Sequence, residues 1–589
     1  MKTDDTKRGG WPFGAGFAVT VGAMALTALL SFLQLPLVWK LTEQTLCMTD
    51  LDGFWDVASA RPGGALDWFA RLLQQTGASS WVVVVNAVLA GVTVLLWRRT
   101  FPRQRSGVLS LLSLPVALLP VCPALFAGTA IWMLDDCAAG FRTVLGLWSA
   151  LGALALTWRR GAIIGGVVAA VLSPVLGLYP LLGAMAGSWK CLPLAAVPWM
   201  LGTWLFGDLA PDVAYLGASG ILDRFVFNRL NAFTALPFLL FFAASALDRL
   251  PPRAHAALAT FGPRRWMAPL AVVLVFTGLG TLACALRLRP DLRGQMRRER
   301  AVVEGRYADV FAVPPSNGGR AMRMESAYRV LALQRTDQLP ARLFDEPFWS
   351  SQESTDAQED LMDGHELLYA YGLLLPARRY IHEQVATKRW MPRHYLYLGD
   401  IALICGERAL AERNYRQLAR CCRFGKLARG RLELLQSEVK ELPGELGEIA
   451  ELASVICRML EERKVTFFDI AHNAEQLVYN HFSCVRNCNE RLARFCLSAM
   501  LLKKSSQALS QNRNLMQGLF GSDAAVPECL QQALLVSGRY PVEAISPRVQ
   551  IKAANFDSDA RRAQEGRLDQ EQFIKRWASS FFFYNAFVK

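Results

Sequence analysis

Residues 267–300 read MAPLAVVLVFTGLGTLACALRLRPDLRGQMRRER. The stretch up to Leu286 is almost wholly apolar and long enough for a helix to cross ~30 Å of hydrocarbon. The rest carries Arg287, Arg289, Arg293, Arg297, Arg298 and Arg300. Upstream of this junction the chain is a series of long apolar runs with few charges. Downstream it is charged and helix-patterned, with no run of that length. The expectation is all-α: a polytopic transmembrane helix bundle over residues 1–288, followed by a soluble, tetratricopeptide-like α-solenoid over residues 289–589.

The whole-chain figures agree with two such parts. The 589 residues are 52% hydrophobic, more apolar than an ordinary soluble protein, and the mean hydropathy is +0.21. A net charge of +14 invites a nucleic-acid reading, yet the basic residues sit at the ends of apolar runs, as in Arg98, Arg99, Arg103, Arg105, Arg159, Arg160, Arg264 and Arg265. That is where membrane-flanking charge collects, and no nucleic acid is expected as a partner. The thirteen cysteines follow no regular spacing and suggest no disulfide framework.

Within the first part about eight spans are expected: residues 13–39, 81–97, 107–134, 138–158, 162–189, 191–206, 232–247 and 267–286. The basic tail before the first span places the loop 42–80 on the outer side. This loop holds Asp50, Asp52, Asp56 and Asp67, and its Phe54, Trp55, Leu66, Trp68, Phe69, Leu72 and Leu73 form the pattern of an interfacial helix. The implied location is the inner cell membrane, with the lipid bilayer as partner. Two basic stretches separated by one span, at 248–265 and 287–300, assign the same side to both its ends, so residues 289–589 stay open to either face. Arg142 is the main ionisable residue inside a span and is expected to snorkel toward the interface.

The second part contains a period of 34 residues. It separates Gly372 from Gly406, Ala377 from Ala411, and Ile381 from Tyr415. Small residues at such spacing let paired helices pack closely, and a large residue one turn later fills the gap. Glu304-Gly305-Arg306-Tyr307 and Ser537-Gly538-Arg539-Tyr540 read as turns between helices.

Ser59-Ala60-Arg61-Pro62-Gly63-Gly64, the segment Asp363-Gly364-His365-Glu366-Leu367 and the ending Phe581-Phe582-Phe583-Tyr584 carry a resemblance. Together they resemble an uncharacterised family of bacterial multi-pass membrane proteins with an Arg-Pro-Gly-Gly loop after the first span and a tetratricopeptide-like tail. The resemblance covers most of the chain and implies an architecture but no activity.

Candidate chemistry rests on few residues. Asp50 and Asp52 follow the first span and Asp135 and Asp136 the third, a layout similar to multi-pass polyprenyl-phosphate-sugar glycosyltransferases. There a carboxylate would act as general base or hold a divalent metal. The bland reading is ordinary outer-loop acidity. His481, Cys484 and Cys488, with His472 upstream, share a helical face but lack a fourth zinc ligand, and buried core cysteines are the commoner outcome. His365, His382 and His394 read either as lining a binding groove or as partly exposed bystanders. No cofactor is expected. The leading function is a membrane-anchored helical-repeat scaffold that binds a protein or peptide partner. The alternative is a glycosyltransferase-like envelope enzyme using Asp50 and Asp52.

Overall fold

The computed structural model describes residues 13–101, 138–205, 229–249, 290–314, 319–345, 365–387, 390–437, 442–463 and 489–588, with the single residues 113, 116 and 251. Among them the chain is all-α, and the only strand-like feature is an isolated antiparallel bridge between Met48 and Cys421. It divides into two compact units. The first comprises Met1–Arg289 with Met391–Arg393 and Arg416–Gly430; the second comprises Pro290–Trp390, His394–Tyr415 and Arg431–Lys589.

In the first unit, α1 (Phe13–Leu33), α2 (Leu35–Glu43), α3 (Leu51–Ala58), α4 (Gly64–Gln74) and α5 (Trp81–Thr100) are followed by α6 (Ala139–Arg160), α7 (Ala162–Leu176), α8 (Tyr179–Gly187), α9 (Ala196–Leu205) and α10 (Arg229–Asp248). Two of these, α5 and α6, are long and apolar enough to cross a membrane. The expected span 267–286 and, apart from Ser113 and Val116, the span 107–134 lie outside the described residues, as do Asp135, Asp136, His472, His481, Cys484 and Cys488.

Three of the expected spans are corrected, the run 191–206 because it begins in a 3-10 segment, Trp189–Ala195, ahead of the ten-residue α9. The run 13–39 is broken at Gln34, where α1 ends before α2 begins. The run 162–189 is broken at Gly177, whose φ of +73° only glycine adopts at no cost, just after Pro174 and before Pro180 at the start of α8. Its fifteen-residue first piece, α7, rises about 22 Å, short of the hydrocarbon thickness if untilted.

Of these helices α7 sorts its side chains by size, while α5 also buries Leu89, Val94 and Trp97, and α1 buries Leu30. In α7, Gly165, Gly166, Ala169, Ala170 and Ser173 are buried, whereas Ile163, Ile164, Val167, Val171, Leu172 and Val175 point outward, Ile163 at 79% exposure. In α5 the buried face includes Asn86, Ala90, Gly91 and Thr93, and Trp81, Val84, Val88 and Leu95 are exposed. In α1, Thr27 and Ser31 are buried while Phe17, Leu29 and Phe32 are exposed. The hydroxyls of Thr27, Ser31 and Thr93 donate to carbonyls one turn back, at 2.7–2.8 Å. Polar contacts between helices complete the interior: Asn86 Nδ2 donates to Ser31 Oγ at 3.0 Å, and Trp148 Nε1 to Thr93 Oγ1 at 2.9 Å. Close approach depends on small residues. A Cβ on Gly183 of α8 would stand 2.0 Å from the Ala150 carbonyl oxygen of α6.

The second unit contains α11 (Pro290–Val303), α12 (Gly319–Arg335), α13 (His365–Ala370), α14 (Leu374–Thr387), most of α15 (Pro392–Ile404) and α16 (Arg408–Ala419), the end of α17 (Gly425–Gln436), α18 (Gly444–Arg463), α19 (Glu490–Leu502) and shorter helices to Phe587. The 34-residue period has a structural counterpart in the successive pairs α13–α14 and α15–α16. Gly372 and Gly406 turn each pair with φ of +75° and +80°; Ala377 and Ala411 are buried between helices, and Ile381 and Tyr415 fill equivalent core positions. Gly399 admits the Tyr415 ring, which a Cβ would meet at 2.5 Å. Gly305 and Gly538 take the left-handed conformation at the other two expected turns. The aromatic ending is core: Phe581, Phe582 and Phe583 are buried, and the Tyr584 hydroxyl donates to the Leu502 carbonyl at 2.6 Å.

Candidate functional site

The Arg-Pro-Gly-Gly loop builds a corner between α3 and α4. Gly63 adopts φ of +78° and donates its N–H to the Pro174 carbonyl at 2.8 Å, tying the corner to the end of α7. Gly64 lies so close to α3 that a Cβ would meet the Val57 carbonyl oxygen at 2.1 Å. The corner delivers Asp67, one turn into α4, to a place where its side chain is only 2% exposed.

Three guanidiniums converge on that carboxylate. Arg142 Nη1, from the start of α6, reaches Oδ1 at 3.0 Å. Arg71, one turn along α4, reaches Oδ2 with Nη2 at 2.8 Å and Nε at 3.1 Å, and Arg61 reaches the same oxygen at 3.4 Å. Burial alone would raise the Asp67 carboxyl, but Arg142, Arg71 and Arg61 outweigh it and hold it down at about 2. Asp67 is therefore a fixed anion at neutral pH, and Arg142 is buried against it rather than snorkelling outward. Two clues pointed here: Asp67 and Arg71 stand at helical i,i+4 spacing, and a lone arginine in an apolar run demands a counter-ion.

A second cluster surrounds Asp50. Its side chain caps α3, accepting from the Gly53 N–H at 3.0 Å, and pairs with Arg420 Nε at 2.6 Å. Burial opposes ionisation, and the Arg420 hydrogen bond, the Gly53 N–H and the Arg420 charge together outweigh it, so the Asp50 carboxyl lies below the usual range. Arg420 also reaches Asp56 at 3.3 Å, and buried Glu43 pairs with Arg393 and Arg423. Asp52, by contrast, is exposed in the first turn of α3, where the helix dipole favours a negative charge. Cys47 and Cys421 are buried near this cluster, and burial pushes each thiol up to about 12. Among the described residues no group of three or more His, Cys, Asp and Glu is placed to hold a metal ion.

In the second unit a buried polar knot centres on Asp400. It accepts from the Tyr415 hydroxyl at 2.6 Å and the Tyr369 hydroxyl at 2.9 Å, and pairs with Arg431 at 3.0 Å. Burial raises its carboxyl against the pull of Arg431 and both hydroxyls. His365 and His394 are buried with rings 5.5 Å apart, and His394 Nε2 hydrogen-bonds Gln384 at 2.9 Å; neither is an exposed groove residue. His382 is exposed.

No curated protein and no solved structure matches the chain. A family model described as a family of unknown function, DUF6057, matches residues 11–588, nearly the whole chain. The Arg-Pro-Gly-Gly corner, its buried ion cluster and the paired helices are thus features of a chain that belongs to the family of unknown function DUF6057.

Proposed function

We propose that this chain is a multi-pass membrane protein that holds a helical domain at the bilayer to bind a protein or peptide partner. The observation that carries the reading is the side-chain sorting in α7, together with the large apolar residues exposed on α1 and α5. A helix in water buries its large apolar residues and exposes small and polar ones, whereas α7 does the reverse, as helices packed in lipid do; α1 and α5 bury Leu30, Leu89 and Trp97 but likewise expose Phe17, Phe32, Trp81 and Leu95. Among the described residues beyond 248, only Leu375, Leu427, Val536, Val542, Ile551 and Phe587 are large, apolar and exposed. The paired helices of the second unit supply the recognition surface, since stacked pairs present extended faces. Alkaline carbonate extraction of membranes from cells expressing the full chain tests the anchoring: the protein stays in the pellet and is released only by detergent, and release by carbonate alone overturns the reading.

The envelope-transferase reading keeps one favourable observation. Asp50 is occupied by Arg420, but Asp52 is open and sits beside exposed Leu51 and Trp55 on α3. On that reading Asp52→Asn abolishes sugar transfer from a polyprenyl-phosphate donor while leaving insertion intact; equal transfer by both proteins removes its basis.

A further inference from the structure

We infer that Arg61 and Arg71 form a binding site for the phosphate headgroup of an anionic membrane lipid. The inference rests on the membrane reading above and adds a ligand to it. Both guanidiniums approach the same atom, Oδ2 of Asp67, while Oδ1 is taken by Arg142. Even with Arg142 set aside, two positive charges share one carboxylate, so the cluster keeps a positive surplus. Arg61 and Arg71 are the accessible members, 34% and 31% exposed against 5% for Arg142. Arg61 gives Asp67 only one long hydrogen bond and directs no other to the described residues, so most of its five donors are uncommitted among them.

The surroundings point to a lipid as the source of that anion. The same corner exposes Leu51, Trp55 and Phe69, the amphipathic kind of surface that settles at headgroup depth. The corner is rigid. Phe54 and Trp68 pack edge to face with centroids 5.3 Å apart, and Trp68 Nε1 donates to the Met48 carbonyl at 2.8 Å. Gly63 and Gly64 fix the turn that carries Arg61. A planar guanidinium offers paired donors matched to phosphate oxygens. A phosphodiester with one negative charge would lower the positive surplus of the three arginines and Asp67 without displacing Asp67.

The test uses the full chain in detergent micelles doped with phosphatidylglycerol, with uncharged diacylglycerol for comparison, and reads bound lipid by native mass spectrometry. Wild-type protein retains phosphatidylglycerol and not diacylglycerol. The R61Q/R71Q double variant retains it roughly tenfold less well, as expected for the loss of two charge-assisted contacts. The R61K/R71K variant, with charge but no fork, falls between them. Should the double variant fail to fold, Arg61→Gln alone keeps the Arg71–Asp67–Arg142 pairing and still lowers retention. Unchanged lipid occupancy in a folded Arg61→Gln or R61Q/R71Q protein overturns the site while leaving detergent dependence, and hence the membrane reading, intact. Displacement of the lipid by millimolar inorganic phosphate overturns the assignment to a lipid. Solubility of the wild-type chain without detergent overturns the membrane reading itself.

Discussion

Arg142 and Asp67 meet at 3.0 Å across 75 residues of chain, both nearly inaccessible to solvent. A buried pair of this kind contributes little net stability over a well-packed apolar pair, but breaking it is costly because one charge is left without its partner. Arg142→Met alone should destabilise the detergent-solubilised protein by about 3–5 kcal/mol, and Asp67→Asn by a comparable amount. The double replacement should recover much of that loss. Thermal unfolding of the four proteins measures the coupling, and strictly additive losses would contradict the pairing.

Acid should act on the same contact. The folded-state value of about 2 for Asp67 lies below the usual carboxylate value of about 3.9, so the unfolded chain takes up the proton first. The contribution of Asp67 is then full above about pH 4 and disappears as the pH falls through about 2, a change of roughly 2 kcal/mol. Comparing wild type with Asp67→Asn from pH 7 downward checks this. The gap in melting temperature between them should narrow only below about pH 4.

Packing between α6 and α8 offers a steric prediction. A methyl group at Gly183 collides with backbone of Ala150, whereas one at Gly152 meets nothing within 4 Å. Gly183→Ala should cost about 1–3 kcal/mol by overpacking. Gly152→Ala should be neutral or slightly stabilising, because alanine is the better helix former. Equal effects from the two variants would contradict this packing.

In the second unit, Tyr369→Phe and Tyr415→Phe each remove one donor from the buried Asp400 carboxyl. Each should cost about 1–3 kcal/mol, and the double variant should depart from additivity because both hydroxyls serve one acceptor. Chemical denaturation of the full chain, followed by tyrosine and tryptophan signals, provides the measurement.

Legibility in the sequence followed the range of the interaction. The 34-residue spacing of Gly372 and Gly406, Ala377 and Ala411, and Ile381 and Tyr415 was readable because glycine turns and small-to-large packing are local demands repeated at fixed intervals. The breaks at Gln34 and Gly177 were missed because hydropathy averages across a residue whose φ interrupts a helix. Asp67 was visible only as loop acidity and Arg142 only as a misfit in an apolar run, since their meeting depends on the Gly63–Pro174 hydrogen bond that sets the corner. Asp50 looked like a free carboxylate because its partner Arg420 lies in a part of the chain that no spacing rule connects to it, although its cap on the Gly53 N–H is a local signal.

The outward-facing branched residues of α7 allow the most direct measurement of the central claim. Spin labels placed at Val171→Cys and Val167→Cys in the reconstituted full chain, with labels at the buried Ala170 position for comparison, report collision with oxygen, which concentrates in lipid, and with a water-soluble nickel chelate. High oxygen and low nickel accessibility at Val167 and Val171 is the predicted result, with neither reagent reaching Ala170. Strong nickel accessibility at Val171 would place that face in water and contradict the account.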